Sequence, residues 1–133
     1  MRNGPEGRVH RLQETEDRRQ AILDFAADGE ILCDIGVAGQ DSASYDMAQL
    51  FTELPEVTPL VLTDANRPTT LKVRCIGGSQ QLLRADREVS SPVSADIEQQ
   101  ILQRIKSTLP STDIIILSDY AKGVLTEKLV PQI

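Results

Sequence analysis

The chain of 133 residues is long enough for one compact domain and too short for two. Its 14 Lys and Arg stand against 20 Asp and Glu, a net charge of −6, which argues against nucleic acid or an anionic membrane as partner because both select a basic face. Hydrophobic residues at 40% and charged residues at 26% suit a soluble globular chain, and 3% aromatics with no Trp leave no stacking platform for bases or sugars. Residues 1–14 show no apolar period, carry Gly4, Pro5 and Gly7, and read as a mobile lead-in. Thr15 is placed to cap a helix with Glu16 and Asp17 in its first turn, Ile22, Phe25 and Ala26 as its stripe and Gly29 as its stop. Residues 31–37 form a short apolar run ending at Gly36 and Gly39, as a buried strand does. Asp41 or Ser42 then caps a second helix, with Met47, Leu50, Phe51 and Leu54 on one face.

Residues 57–63 and 69–76 read as strands separated by the turn Asp64-Ala65-Asn66-Arg67-Pro68, and Gly77-Gly78 is a tight hairpin signal leading into a strand over 79–85. Ser94 caps a third helix along Ile97, Ile101, Leu102 and Ile105, closed by Leu109-Pro110. Residues 113–117, Asp-Ile-Ile-Ile-Leu, are the strongest buried-strand signal in the chain. They open into the polar stretch 118–123, and a last helix is expected from Thr126. In an α/β sheet the carboxyl end of a strand is where ligands bind, which places a candidate site at 118–123.

Cys33 and Cys75 lie in apolar segments without CxxC spacing and read as buried thiols. The only histidine, His10, lies in the charged lead-in, so neither a Ser/His/Asp triad nor a metal site is expected. The N-terminus lacks a signal-type apolar core, and no apolar run approaches the ~20 residues that span a bilayer. The expected compartment is the cytoplasm.

Three segments carry chemistry. Gly36-Val37-Ala38-Gly39-Gln40-Asp41 sits between strand and helix, where amides can hold a phosphate, but it has neither the third glycine of a dinucleotide fingerprint nor a Lys-Ser/Thr pair. A tight turn with a cap is the favoured reading. Thr70, Lys72 and Arg74 alternate on one strand face, and Gln80, Leu82 and Arg84 alternate on the returning strand. Two arginines, a lysine and an amide can converge there on one anion, and a solvated antiparallel face has the same pattern. In Ser118-Asp119-Tyr120-Ala121-Lys122-Gly123, Asp119 is placed to orient a polyol and Lys122 to neutralise a phosphate. A structural loop with Asp119 as a cap is the alternative.

The combination of Arg67-Pro68-Thr69-Thr70-Leu71-Lys72-Val73-Arg74, Gln80-Gln81-Leu82-Leu83-Arg84-Ala85-Asp86-Arg87-Glu88 and Leu117-Ser118-Asp119-Tyr120-Ala121-Lys122-Gly123-Val124-Leu125 resembles the heptose-phosphate kinase branch of the ribokinase-like (PfkB) sugar kinases. These occur as the kinase half of bifunctional ADP-heptose synthesis proteins and as stand-alone kinases. The resemblance runs from about Ile31 to the C-terminus. It implies an α/β fold, a mostly parallel sheet flanked by helices, with an antiparallel β segment as a lid over the sugar. It also implies transfer of the γ-phosphoryl of Mg-ATP to the anomeric hydroxyl of D-glycero-D-manno-heptose 7-phosphate, on the route to ADP-heptose and the lipopolysaccharide core. The positions so implicated in substrate binding are Thr70, Lys72, Arg74, Gln80, Arg84, Asp119, Tyr120 and Lys122, with no catalytic residue or metal ligand assigned.

The chain departs from that family at both ends. The opening strand with its Gly-Asp motif and the Gly-Gly-x-x-x-Asn element are absent, and Arg18-Arg19-Gln20-Ala21-Ile22-Leu23 stands in their place. The Asp-Thr-x-Gly-Ala-Gly-Asp motif, which supplies the anion hole and catalytic aspartate, has no counterpart. The expectation is a partial kinase domain over 15–133 lacking the ATP and anion-hole half, inactive in isolation and binding no nucleotide tightly. Its partner is a sugar phosphate, with self-association through uncovered sheet surface. A non-catalytic sugar-phosphate-binding or regulatory module derived from such a kinase is the alternative.

Overall fold

The computed structural model describes residues 32–133; the lead-in over 1–14 and the helix expected over 15–29 lie outside them. The first apolar run divides into β1 (Leu32–Asp34) and β2 (Val37–Ala38), and the third divides into β3 (Val57–Pro59) and β4 (Leu62–Thr63). β1 pairs with β3 and β2 with β4, both in parallel, with Leu32 opposite Val57 and Val37 opposite Leu62. The break between the two pairs does not interrupt the hydrogen bonding. The amides of Leu60, Leu62 and Asp64 donate to the carbonyls of Asp34, Gly36 and Ala38 at 2.9, 2.8 and 2.8 Å, the even spacing of a parallel ladder.

Parallel strands need a crossover, and α1 (Ser42–Phe51) supplies it. Asp41 caps it reciprocally: its side chain accepts from the Ser44 amide at 3.1 Å while the Ser44 hydroxyl accepts from the Asp41 amide at 3.3 Å. Just before this cap, Gly39 passes so close to the backbone of Arg67, Pro68 and Thr69 that a Cβ there would collide with it. Cys33 and Cys75 are free thiols, half-buried rather than fully buried as expected.

β5 (Leu71–Gly77) and β6 (Gln80–Arg87) form the expected antiparallel hairpin, turning through Gly78 at φ +60° and Ser79. Lys72 stands opposite Asp86 and Arg74 opposite Arg84. The register then slips: Cys75 pairs with Leu83 but Ile76 pairs with Gln81, which leaves Leu82 as the extra residue of a bulge. The expected alternation of Gln80, Leu82 and Arg84 on one face is thereby broken. Gln80 pairs with Gly77, on the ribbon face opposite to Arg74 and Arg84.

α2 (Ala95–Thr108) is capped by the Ser94 hydroxyl, which accepts from the Ile97 amide at 3.3 Å. Asp96 and Glu98 lie in its first turn and Lys106 in its last, complementing the helix dipole. Ile97, Ile101 and Ile105 recur every fourth residue and bury one stripe against Leu62, Val93 and Leu129. A 3-10 turn, Leu109–Ser111, closes the helix as the Leu-Pro pair implies.

Two expectations fail beyond this point. Residues 113–117 pair with no strand among the described residues, and Ile114, Ile115, Ile116 and Leu117 are exposed, Ile114 at 75%. An apolar run becomes a buried strand only when a neighbouring strand takes its amides and carbonyls, and no described strand does so. The helix expected from Thr126 is a turn followed by a 3-10 turn, Val130–Gln132, because Pro131 has no amide hydrogen to continue an α-helix. Leu129 is nevertheless fully buried in the α2 core. The α/β class holds, and among the described residues it takes the form of two short parallel pairs, one antiparallel ribbon and two helices in place of a broad parallel sheet.

Candidate functional site

The hairpin face that carries Lys72, Arg74, Arg84 and Asp86 gathers charge by alternation alone. Lys72 Nζ lies 3.4 Å from Asp86 Oδ2, and an Arg84 guanidinium nitrogen lies 3.1 Å from the same oxygen. One residue past β6, Glu88 brings in a second segment. Its Oε2 is 3.2 Å from Lys72 Nζ and its Oε1 is 2.7 Å from Lys122 Nζ, so each oxygen of one carboxylate takes a different lysine. All three side chains are about three-quarters buried. Lys122, then Lys72, hold the Glu88 carboxyl below its usual range, and Glu88, with Asp86 behind it, raises the Lys72 ammonium above its own.

Lys122 reaches this position because the chain turns sharply on either side of it. The Asp119 side chain accepts from the Ala121 amide at 2.7 Å, and Ala121 takes a positive φ of 54°. Gly123, at φ +73°, gives its carbonyl to the Val93 amide at 2.8 Å, and a Cβ there would strike the Ser91 carbonyl. Asp119 thus closes a local turn, while Tyr120 projects at 68% exposure.

Of the eight positions expected to bind substrate, the structure brings Lys72, Lys122 and Arg84 together through Glu88 and Asp86 and sets Arg74 across from Arg84. Thr70 is exposed just ahead of β5, Gln80 lies on the other ribbon face, and Asp119 and Tyr120 stand outside the ion-pair cluster. Sequence reasoning did not single out Asp86 or Glu88. The signal for both was the alternation itself, which continues from Arg84 through 86 to 88.

A second junction centres on Asp41. Besides capping α1, it accepts from the Thr69 amide at 3.0 Å and from Arg87 at 2.8 Å, and the Gly39 amide donates to the Thr69 hydroxyl at 2.9 Å. The Thr69 hydroxyl above all, then the Thr69 and Ser44 amides and Arg87, holds the Asp41 carboxyl below its usual range. Residues 36–41 are therefore not the expected tight turn: they carry β2 and end in the Asp41 cap, with the Gly39 and Ser44 amides already engaged. A cleft of about 430 Å³ opens beside this junction, between Tyr45, Met47 and Phe51 of α1 and Pro59, Val61 and Thr63; none of the described residues that line it is charged. Among the described residues no group of three or more His, Cys, Asp or Glu is arranged to hold a metal ion, and no helix is long and apolar enough to cross a membrane.

A parallel crossover unit carrying a cation-lined antiparallel ribbon defines an α/β chain whose charged groups converge between the ribbon and the loop at Lys122. No protein-family model matches it. Among curated proteins it is similar to the bifunctional protein HldE of Rhodopseudomonas palustris (strain BisA53), 44% identical over 98 residues that make up 72% of this chain and 20% of the relative. The HldE protein of Paramagnetospirillum magneticum is 43% identical over 95 residues, 71% of this chain and 20% of the relative. That of Rhodopseudomonas palustris (strain TIE-1) is 40% identical over 108 residues, 80% and 22%. The chain is a homologue of part of the bifunctional HldE proteins and spans about a fifth of their length, in line with the resemblance carried by its three motifs.

Proposed function

We propose that this chain is the sugar-phosphate-binding part of a heptose 7-phosphate kinase. The complete enzyme would transfer the γ-phosphoryl of ATP to the anomeric hydroxyl of D-glycero-D-manno-heptose 7-phosphate, giving the 1,7-bisphosphate used for ADP-heptose and the lipopolysaccharide core in the cytoplasm. The supporting observation is the meeting of Lys72 and Lys122, which are 50 residues apart, at one largely buried point beside two arginines. Phosphoryl transfer depends on positioning and charge neutralisation, and a substrate that already bears a phosphate needs such a cluster to hold its far end. The reading concerns the sugar phosphate alone.

These 133 residues contain no counterpart to the catalytic Asp-Thr-x-Gly-Ala-Gly-Asp motif, and in this reading they do not turn over by themselves. A coupled ATP-consumption assay with heptose 7-phosphate should give no rate above a blank. In a full-length relative, replacing Lys122 or Arg74 by Ala should weaken heptose 7-phosphate binding roughly ten- to a hundredfold by calorimetry, as loss of a charge-assisted bond does, with ATP affinity kept. Unchanged sugar affinity in both variants would overturn the assignment. Turnover by this chain alone would overturn the inactive reading.

A further inference from the structure

We propose that Glu88 is a built-in counter-ion occupying the anion seat between Lys72 and Lys122, so that a phosphate dianion binds by displacing its carboxylate. The inference rests on the phosphate-binding reading of this cluster and adds to it the group that sets how strong a ligand must be. Three segments meet at the seat: Lys72 from β5, Glu88 from the end of β6 and Lys122 from the loop after residue 117. The two Glu88 oxygens each take one lysine, the way two oxygens of a phosphate face would. Asp86 contacts Lys72 and Arg84 but not Lys122, so it neutralises the ribbon without filling the seat.

Charge makes the exchange directional. Lys72, Arg84 and Lys122 against Asp86 leave a net charge of +2 once Glu88 has moved out, matched to a dianion. A weak or singly charged anion gains too little from the lysines to release Glu88, whereas a phosphate ester with a sugar that makes its own contacts can do so. Glu88 thus keeps the two lysines in position in the absence of ligand and sets a threshold against adventitious anions.

The test is titration of the isotope-labelled full chain with inorganic phosphate, followed by NMR, in the native form and in Glu88→Gln and Asp86→Asn. Gln keeps the shape of Glu and removes the charge. Phosphate should bind Glu88→Gln about fivefold more tightly than the native chain, the scale of a partly exposed ion pair, and Asp86→Asn should change affinity less. In the native chain, phosphate should also move the Glu88 side-chain carboxyl resonance, a readout that needs no variant. Binding by the native chain that Glu88→Gln leaves equal or weaker overturns the counter-ion role alone, as does an equal gain from Asp86→Asn or a Glu88 carboxyl that does not respond. Phosphate binding by none of the three forms overturns both this inference and the phosphate site on which it rests.

Discussion

Asp41 and Glu88 are the two carboxylates on which the described structure turns, and both are held below the usual carboxylate range by donors from distant segments. A group whose folded pKa is depressed contributes stability above its unfolded pKa and loses it as pH falls through the folded value. Stability should therefore be level above about pH 5 and decline as pH drops below about 4, where unfolded Asp and Glu protonate. Lys72 has the opposite sign: its contribution is complete below its ordinary value and lost as pH rises through the raised one. Asp41→Asn should lower the denaturation midpoint near neutral pH and flatten the acid limb of its pH profile; a limb as steep as that of the native chain would refute the role. Lys72 and Lys122 were legible in the sequence, one from strand alternation and the other from its place in the polar stretch 118–123. Glu88 was not, because the strand expected to end at 85 runs on to Arg87 and carries the alternation with it.

At the level of elements, the hairpin and α2 were the most legible parts of the chain. A glycine pair, whose second member makes the turn with Ser79, and a serine cap ahead of a four-residue apolar repeat are local signals, and local contacts satisfy them. The bulge at Leu82 was not legible, since which residue of a strand is left over depends on the register of the whole ribbon. Helix α2 supplies three of the six residues of the buried cluster around Leu129, so its stripe should weigh heavily in stability. Ile101→Ala, at a position only 3% exposed, should cost about 2–5 kcal/mol in urea denaturation, whereas Ser94→Ala at the cap should cost about 1 kcal/mol. Comparable losses from the two would mean that α2 is held by its end and not by its face.

Over the whole molecule, the exposed stretch 114–117 and the exposed Leu82 and Leu83 of the ribbon leave apolar surface that a stable monomer rarely shows. Their composition marks them as residues to be buried, but the partner that buries a strand is a tertiary fact that no window of sequence contains. That is why the strongest strand signal in the chain was also the least successful. The chain should self-associate: sedimentation velocity should show a mass that rises with concentration, together with binding of an apolar dye, and Ile116→Lys should shift the distribution towards monomer with little effect on the fold. A monomer at all concentrations, with a sharp melt and no dye binding, would refute this.

The Asp41 junction also has a consequence in time. Its bonds to Thr69 and Arg87 join residues 28 and 46 apart, while α1 and the hairpin are each closed by contacts within their own span. Closing long loops costs chain entropy before anything is gained, so these bonds should form after the elements they connect and be absent from the folding transition state. Arg87→Ala, which breaks the long-range bond and leaves the cap on α1 in place, should hasten unfolding and leave the rate of folding almost unchanged, a φ-value near zero in stopped-flow measurements. Asp41 then acts as a clasp, governing how long the assembled chain stays closed and not how quickly it closes.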